Sequence, residues 1–305
     1  MSAETEGQEW IARPERSHIL VIRSYVWIAR HLGRSVSRLL LYPICLYFLI
    51  FSPKARRASR DYLTKVLPYR PRLVHLFRHY FVFASTLLDR VYLLNNQTEL
   101  FDVRIHGEDF LTGIIAQGLG CFLVGSHVGS FEIIRALGRK QRDLRICLLM
   151  YEENARKTNA VLNAINPALG FEIIRLGTFD SMLKVQESLS RGDLVGMLAD
   201  RTLKGTGQIQ CPFLGQTASF SLGPFRLAAI LRQPVILMFG LYRGGRSYDI
   251  YFEPLATPFS DGTPSHNTDF PESATRHYAK RLEHFCRMAP YNWFNFFDFW
   301  KRDGT

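Results

Sequence analysis

The sequence predicts an α/β fold: a central, mostly parallel sheet covered by helices, with a basic, apolar N-terminal helical segment that associates with a membrane. Two observations predict the sheet. Short apolar runs recur after about residue 103, and amphipathic stretches with helical spacing separate them. A third observation concerns the first 95 residues, where cations flank a long uncharged run. We therefore divide the chain into a helical membrane-associating region, 1–95, and an α/β domain, 96–305.

The N-terminal region is predicted to lie in one leaflet of a membrane. Residues 15–51 have helical spacing, and their densest part, Leu39 to Phe51, contains thirteen residues without a charge. A helix that crosses a bilayer needs about 20 apolar residues, and Pro43 interrupts this run. Cations flank both ends, whereas a spanning helix prefers them on one side. An interfacial helix fits this pattern better, and a buried core helix is the alternative.

Charge is concentrated in the same region. Between Trp10 and Arg90 there are fifteen Lys and Arg against three acids, so this quarter of the chain carries a charge of +12. The remaining residues sum to −1, which gives the whole chain its net charge of +11. Such asymmetry predicts a polyanionic partner: an anionic membrane surface, a nucleic acid or an acidic protein. The cations are interleaved with apolar residues and no nucleic-acid-binding motif appears, so we expect no nucleic-acid partner. Five scattered cysteines without a C-x-x-C pair favour reduced thiols and the cytosolic side.

The elements follow in order along the chain. Residues 61–95 continue as helix, with apolar side chains at three- and four-residue spacing. Strands are predicted at 121–126, 144–150, 171–176, 194–200, 234–243 and 248–255, and helices at 131–138, 154–165, 179–190, 220–232 and 270–289.

The segment GSHVGSFE, residues 125–132, is the sharpest local feature. His127 follows a buried strand, at the carboxyl end where open α/β sheets place ligands. Glycine at position 129 allows a ligand to approach the backbone closely. Glu132, in the first turn of the next helix, can reach back to the imidazole, fix its tautomer and leave the other nitrogen to accept a proton. Alternatively, His127 is structural and Glu132 is an acid favoured by the helix dipole.

Further candidates lie near other strand ends. Arg175 falls on one predicted strand, and Asp200 and Arg201 end the next, so all three are expected to converge on His127. With Gly129 and Ser130 they form the predicted substrate-binding set, although a helix N-cap suits Ser130 and ion pairing is the alternative for the others. His75 and His79 share a helix spacing but lack an acidic ligand, so neither a metal site nor a cofactor is predicted.

These residues resemble a known family. His127-x4-Glu132 is similar to the H-x4-D/E motif of the glycerolipid and lysophospholipid acyltransferase superfamily. Downstream, GMLADRTLKG (196–205) and CPFLGQTASFSLGPFRLAAILRQPVILMF (211–239) resemble the late acyltransferases of bacterial lipid A synthesis, which place an Asp-led turn, a Phe-x-Gly loop, a helix and a Pro-Val strand in that order. The resemblance covers most of the chain.

Three departures bear on the acceptor. Ser130-Phe131 replaces the usual Asn-Trp, the turn after Asp200 is basic, and the C-terminus reads PYNWFNFFDFWKRD (290–303). That ending resembles a side branch associated with aryl polyene or xanthomonadin-type pigments. The seven aromatic residues among 291–300 fit a membrane interface and a packed lid equally well.

The resemblance implies acyl transfer from an acyl carrier protein or acyl-CoA thioester to a hydroxyl or amine of a lipid acceptor, at the cytoplasmic face of a bacterial inner membrane. His127 would be the general base and Glu132 its orienting partner, with backbone N–H groups near Gly129 or an arginine stabilising the oxyanion. A thioester hydrolase and a non-catalytic lipid-binding protein remain the alternatives.

Overall fold

A computed structural model describes residues 16–134, 145–151, 165–166, 172–176, 179–202, 207–255 and 269–300, with side chains from residue 26 onward. The described helices are α1 Arg16–Phe51, α2 Pro53–Val66, α3 Leu73–Leu94, α4 Glu108–Ala116, α5 Phe179–Ser190, α6 Gly223–Ile230 and α7 Phe270–Met288. The strands are β1 Asp102–His106, β2 Cys121–Gly125, β3 Ile146–Tyr151, β4 Ile173–Leu176, β5 Leu194–Leu198, β6 Gln208–Phe213, β7 Gln216–Ser221, β8 Val235–Gly244 and β9 Ser247–Pro254.

Seven strands form the predicted central sheet, in the order β1-β9-β8-β2-β5-β3-β4. Every pair is parallel except β8 with β9, which form a hairpin. All five residues of β2 are buried, as are most of β5 and β8 beside it, because helices cover both faces of the sheet centre. The predicted α/β class is therefore correct, and its central strands carry the loops that matter for function.

The structure adds three strands that the sequence did not indicate. Strand β1 joins the sheet edge beside β9, and β6 and β7 form a separate two-stranded antiparallel hairpin. Their sequences, DVRIH, QIQCPF and QTASFS, contain many polar residues, so hydrophobic pattern alone does not reveal them.

Four predicted helices differ in detail. The helix predicted over 61–95 is interrupted at 67–72, where Pro68 and Pro71 cannot continue a helix. The helix predicted over 220–232 begins only at Gly223, because the residues before it belong to β7, which pairs with β6. In place of the helix predicted over 131–138 there is a 3-10 turn at Glu132–Ile134, and residues 135–138 lie outside the described residues. Almost all of the helix predicted over 154–165 also lies outside them.

Helix α1 bends at a glycine and not at its proline. Gly33 has φ 76° and ψ 170°, a positive-φ conformation that essentially only glycine adopts, whereas Pro43 stays within the helix on its exposed side. Beyond the bend, Ser37, Leu41, Cys45 and Leu49 are buried at four-residue spacing, so only one narrow stripe packs inward. The rest of the segment exposes large apolar side chains, and Val26–Phe51 has the length and composition of a membrane-crossing helix.

Candidate functional site

His127 lies on the loop that follows β2, and this loop is clamped from two sides. His127 accepts a backbone hydrogen bond from Phe294, and the Gly129 N–H donates to the Asn292 carbonyl at 2.8 Å. The Ser130 N–H donates to the Gly240 carbonyl in β8 at 2.9 Å. The C-terminal segment and β8 therefore hold the histidine loop by backbone bonds on both sides.

Gly129 is required by this clamp. Its φ is +63°, and a Cβ atom there would lie 1.9 Å from the Gly240 carbonyl oxygen. The close approach predicted at this glycine is real, but the neighbour is strand β8 and not a ligand. The N–H groups of Gly129 and Ser130 are both bonded to carbonyls, so the expected oxyanion donors at these two positions are already used.

The carboxylate on the imidazole is that of Asp200. Its Oδ1 lies 2.8 Å from His127 Nδ1, and its Oδ2 accepts from the His127 N–H at 3.0 Å. Asp200 follows β5, and β5 pairs directly with β2, so two adjacent parallel strands end at the same edge of the sheet. The sequence placed Asp200 near the site correctly, but as a substrate-binding residue and not as the imidazole's partner.

Glu132 differs from its expected position. Its Oε2 accepts from the Ser130 hydroxyl at 3.3 Å, and its Oε1 pairs with Arg90 of α3 at 2.8 Å. The short 3-10 turn at Glu132 directs the carboxylate towards α3 instead of back to the ring. Ser130 is buried and its hydroxyl donates to this side chain, so the expected N-cap geometry is not seen there.

Two arginines approach the histidine. The positive charges of Arg201 and Arg90 both act on His127, and Arg201 also lies over the Phe297 ring, 5.4 Å from its centroid. Arg175 behaves differently. It is exposed on β4, an edge strand that lies three strands away from β2 in the sheet. At a spacing of about 4.8 Å between neighbouring strands, β4 is about 14 Å from β2. The structure thus joins Arg201 to the site, adds Arg90, and leaves Arg175 outside it.

Electrostatics favour a neutral imidazole beside an ionised carboxylate. Burial and the charges of Arg201 and Arg90 lower the pKa of His127, against the opposing effect of Asp200. Burial raises the pKa of Asp200, but His127, Arg201 and the Trp293 N–H outweigh it and hold that pKa well below its ordinary value. Nδ1 therefore carries a proton donated to Asp200, and Nε2 keeps its lone pair.

Trp293 completes the support of Asp200 and was not singled out from the sequence. Its indole Nε1–H donates to Asp200 Oδ2 at 2.9 Å, and the residue is 1% exposed. Aromatic rings of the C-terminal segment pack around it, so this segment is a packed part of the core. Spacing gives no signal for a contact between residues 93 apart in the chain.

A buried histidine ties Trp293 to the N-terminal helices. His79 Nε2 lies 2.8 Å from the Trp293 carbonyl, and His79 Nδ1 lies 2.8 Å from the Ser59 hydroxyl. Burial lowers the pKa of His79 to about 4, so the ring is neutral. Nε2–H therefore donates to the carbonyl and Nδ1 accepts from Ser59. His75, its predicted face-mate, accepts from the backbone N–H of Arg72 instead.

The chain is similar to known proteins over most of its length. The crystal structure of the 1-acyl-sn-glycerophosphate (LPA) acyltransferase PlsC from Thermotoga maritima is similar over 88% of this chain and 99% of that chain, with 14% identity and a TM-score of 0.35. No curated protein sequence matches. The family described as bacterial lipid A biosynthesis acyltransferase matches residues 14–302, so this chain is an acyltransferase of lipid biosynthesis and belongs to that family.

Proposed function

We propose that the protein transfers a fatty acyl group from an acyl carrier protein or acyl-CoA thioester to a hydroxyl or amine of a lipid A-type or related lipid acceptor. One observation carries the proposal: His127 is hydrogen-bonded through Nδ1 to buried Asp200, while its ring remains 29% exposed. A neutral imidazole held by a carboxylate, with its second nitrogen accessible, has the arrangement of a general base. The alternative acceptor is an aryl polyene or related pigment lipid.

The chemistry balances without a covalent enzyme intermediate. Nε2 of His127 accepts the proton of the acceptor hydroxyl while the hydroxyl oxygen attacks the thioester carbonyl carbon. The resulting oxyanion collapses, the C–S bond breaks, and the imidazolium returns its proton to the leaving thiolate. We assign the stabilisation of the oxyanion to Arg201 and Arg90, whose charges act on His127, and one such donor contributes about 10²- to 10³-fold to the rate.

In this scheme three residues have positioning roles. Asp200 fixes the Nδ1–H tautomer and stabilises the imidazolium, and Trp293 holds the Asp200 carboxylate through Oδ2. Glu132 holds Arg90 in place through their ion pair, which gives this residue an indirect part in the reaction.

The test is acyl transfer by the purified protein. Two donors are supplied separately: acyl carrier protein and coenzyme A, each carrying a radiolabelled fatty acyl group as a thioester. Each donor is supplied with and without a bacterial lipid extract that contains lipid A precursors. We expect labelled lipid only when an acceptor is present. Labelled free fatty acid at the same rate with and without acceptor would identify a thioester hydrolase, and no turnover of either donor would favour a lipid-binding protein.

Membrane association is proposed for α1. Leu39, Tyr47 and Phe51 are exposed by 68%, 57% and 65%, and few of their neighbours along Val26–Phe51 are buried. Arg34 pairs with Asp89 of α3 at 2.7 Å, and Arg38 donates to the Gly245 carbonyl at 2.9 Å. These contacts hold α1 along the protein, which supports an interfacial helix at the cytoplasmic face of the inner membrane.

A surface substitution tests this association without disturbing the core. The triple variant Leu39→Gln, Tyr47→Gln, Phe51→Gln is expected to lose most of its sedimentation with anionic vesicles, because about 2 kcal/mol of transfer free energy is lost at each large side chain. The matched control replaces Ile230, Leu183 and Leu119, which are also exposed, by glutamine. Equal sedimentation of the two variants would contradict the proposal.

The pKa of His127 leads to a pH prediction. The neutral form is the active base, so activity is lost as pH falls through this pKa, and the acidic limb of kcat/KM should lie below pH 6.5. Arg201→Gln removes a charge that lowers the pKa, so the limb should move to higher pH. Arg191→Gln removes the same charge near the opposite end of β5, where Arg191 pairs with Asp193, and should leave the limb in place.

Trp293→Phe tests the support of Asp200. The ring is retained but the N–H is lost, so Asp200 becomes a stronger acceptor for His127, and the acidic limb should move to higher pH. A hydrogen bond to a charged group contributes about 1.5–3 kcal/mol, which corresponds to a fall in kcat of about 10- to 100-fold. Trp300→Phe is the control, since its buried Nε1 has no partner among the described residues. Identical pH profiles for the two variants would refute the role.

A further inference from the structure

A pocket at the junction of α2 and α3 is lined by three arginines. Arg60 and Thr64 lie on α2, and Arg70, Pro71, Arg72 and Leu73 form the turn and the start of α3. The cavity measures about 280 Å³. It belongs to neither the histidine site nor the α1 surface, and the reaction described above does not use it.

The charge of this pocket is not compensated. Residues 52–78 contain eight Lys and Arg and a single acid, Asp61, whose carboxylate pairs with Lys65. Other nearby cations are engaged: Arg56 donates to the Leu49 carbonyl, and Arg78 lies over the Tyr291 ring. Within the part of the chain that the structure describes, no carboxylate pairs with Arg60, Arg70 or Arg72. Arg60, Arg70 and Arg72 are exposed, so their guanidinium groups are open to a ligand, and an anion bound between them is attracted by all three charges.

The chemistry of the lining selects a phosphate. A guanidinium presents N–H groups in a planar fork that matches phosphate oxygens, and clustered arginines are typical of phosphate recognition. Thr64 adds a hydroxyl oxygen; its proton is donated to the Arg60 carbonyl, so the lone pairs remain for water or a ligand hydroxyl. The pocket volume is adequate for a phosphate group with a small polar substituent.

The rim of the pocket points to a lipid as the source of that phosphate. Tyr69, Leu73 and Val74 are exposed by 52%, 59% and 64%. Helix α3 packs antiparallel to α1, because Arg34 meets Asp89 while Tyr42 meets Phe77. The start of α3 therefore lies at the same end of the helix pair as Phe51, so apolar and cationic surfaces are adjacent, as at the boundary between acyl chains and headgroups.

We infer that the pocket formed by Arg60, Arg70 and Arg72 binds the phosphate headgroup of an anionic phospholipid at the membrane surface. The inference rests on the proposed membrane association of α1 and specifies one discrete headgroup site within it. Binding there seats the α2–α3 turn on the headgroup layer while the exposed face of α1 enters the apolar layer.

The experiment uses the full-length protein and a soluble lipid probe. Dihexanoyl phosphatidylglycerol, below its micellar concentration, is titrated and followed by calorimetry. We expect one saturable site, with a dissociation constant at least about tenfold weaker in Arg60→Gln, Arg70→Gln, Arg72→Gln because charge-assisted hydrogen bonds are lost. The control Arg30→Gln, Lys54→Gln, Arg57→Gln removes the same charge outside the pocket and should bind the lipid like wild type. Equal weakening in both variants, or no saturable site in wild type, would overturn the inference.

Two competitors distinguish the source of the phosphate. Inorganic phosphate at equal concentration should not displace the lipid; displacement would assign the pocket to free phosphate. Acyl carrier protein should bind wild type and the pocket variant equally; a loss of binding confined to the pocket variant would assign the pocket to the carrier protein.

Sedimentation with neutral and anionic vesicles separates this inference from the proposed function. Wild type that binds neither vesicle refutes membrane association itself, whereas a pocket variant that matches the control on anionic vesicles refutes only the headgroup site.

Discussion

Replacing His127 with glutamine is expected to lower kcat/KM for acyl transfer by about 10³-fold, because general base catalysis contributes about 10²- to 10⁴-fold. Glutamine keeps a hydrogen-bonding group near Asp200 but cannot accept the acceptor's proton at neutral pH. Acyl transfer is measured with saturating donor, and thermal unfolding is recorded for both proteins. His75→Gln is the control, since His75 lies at the exposed start of α3. A His127→Gln enzyme with wild-type rates would exclude the histidine as base.

Asp200→Asn should be about as damaging as His127→Gln, with a loss in kcat of about 10³-fold. An asparagine amide can donate to Nδ1 and so stabilise the tautomer that places the proton on Nε2, where the lone pair is needed. It also withdraws the negative charge that stabilises the imidazolium. The effect should fall on kcat more than on KM, because the interaction strengthens as the imidazolium forms.

Glu132→Gln is the informative comparison for Asp200→Asn. The glutamine loses the charge that pairs with Arg90 but leaves the His127–Asp200 bond untouched. We expect a loss of about tenfold, the order of one charged interaction. If instead Glu132→Gln were as damaging as Asp200→Asn, Glu132 would have to reach the imidazole in the substrate complex, and the roles of the two carboxylates would be exchanged.

These two carboxylates show where sequence reasoning about the site reached its limit. The spacing of His127 and Glu132 suggested that they meet, because the intervening residues were expected to enter an α-helix at once. The turn at Glu132–Ile134 is a 3-10 helix, and its carboxylate points to Arg90. Asp200 was placed correctly by the rule that neighbouring parallel strands end together, but the sequence could not show that β5 is the immediate neighbour of β2.

Sequence by itself determined the α/β class, most of the central strands, the basic N-terminal segment and the position of His127 after a buried strand. Those features follow from local hydrophobic period and local charge, which are written in consecutive residues. Only the tertiary structure decided that Asp200 and Trp293 support His127, that Gly129 faces Gly240, and that Arg175 lies elsewhere. Each depends on strand order and on contacts between residues far apart in the chain, and the energy of such contacts exists only once the sheet has assembled.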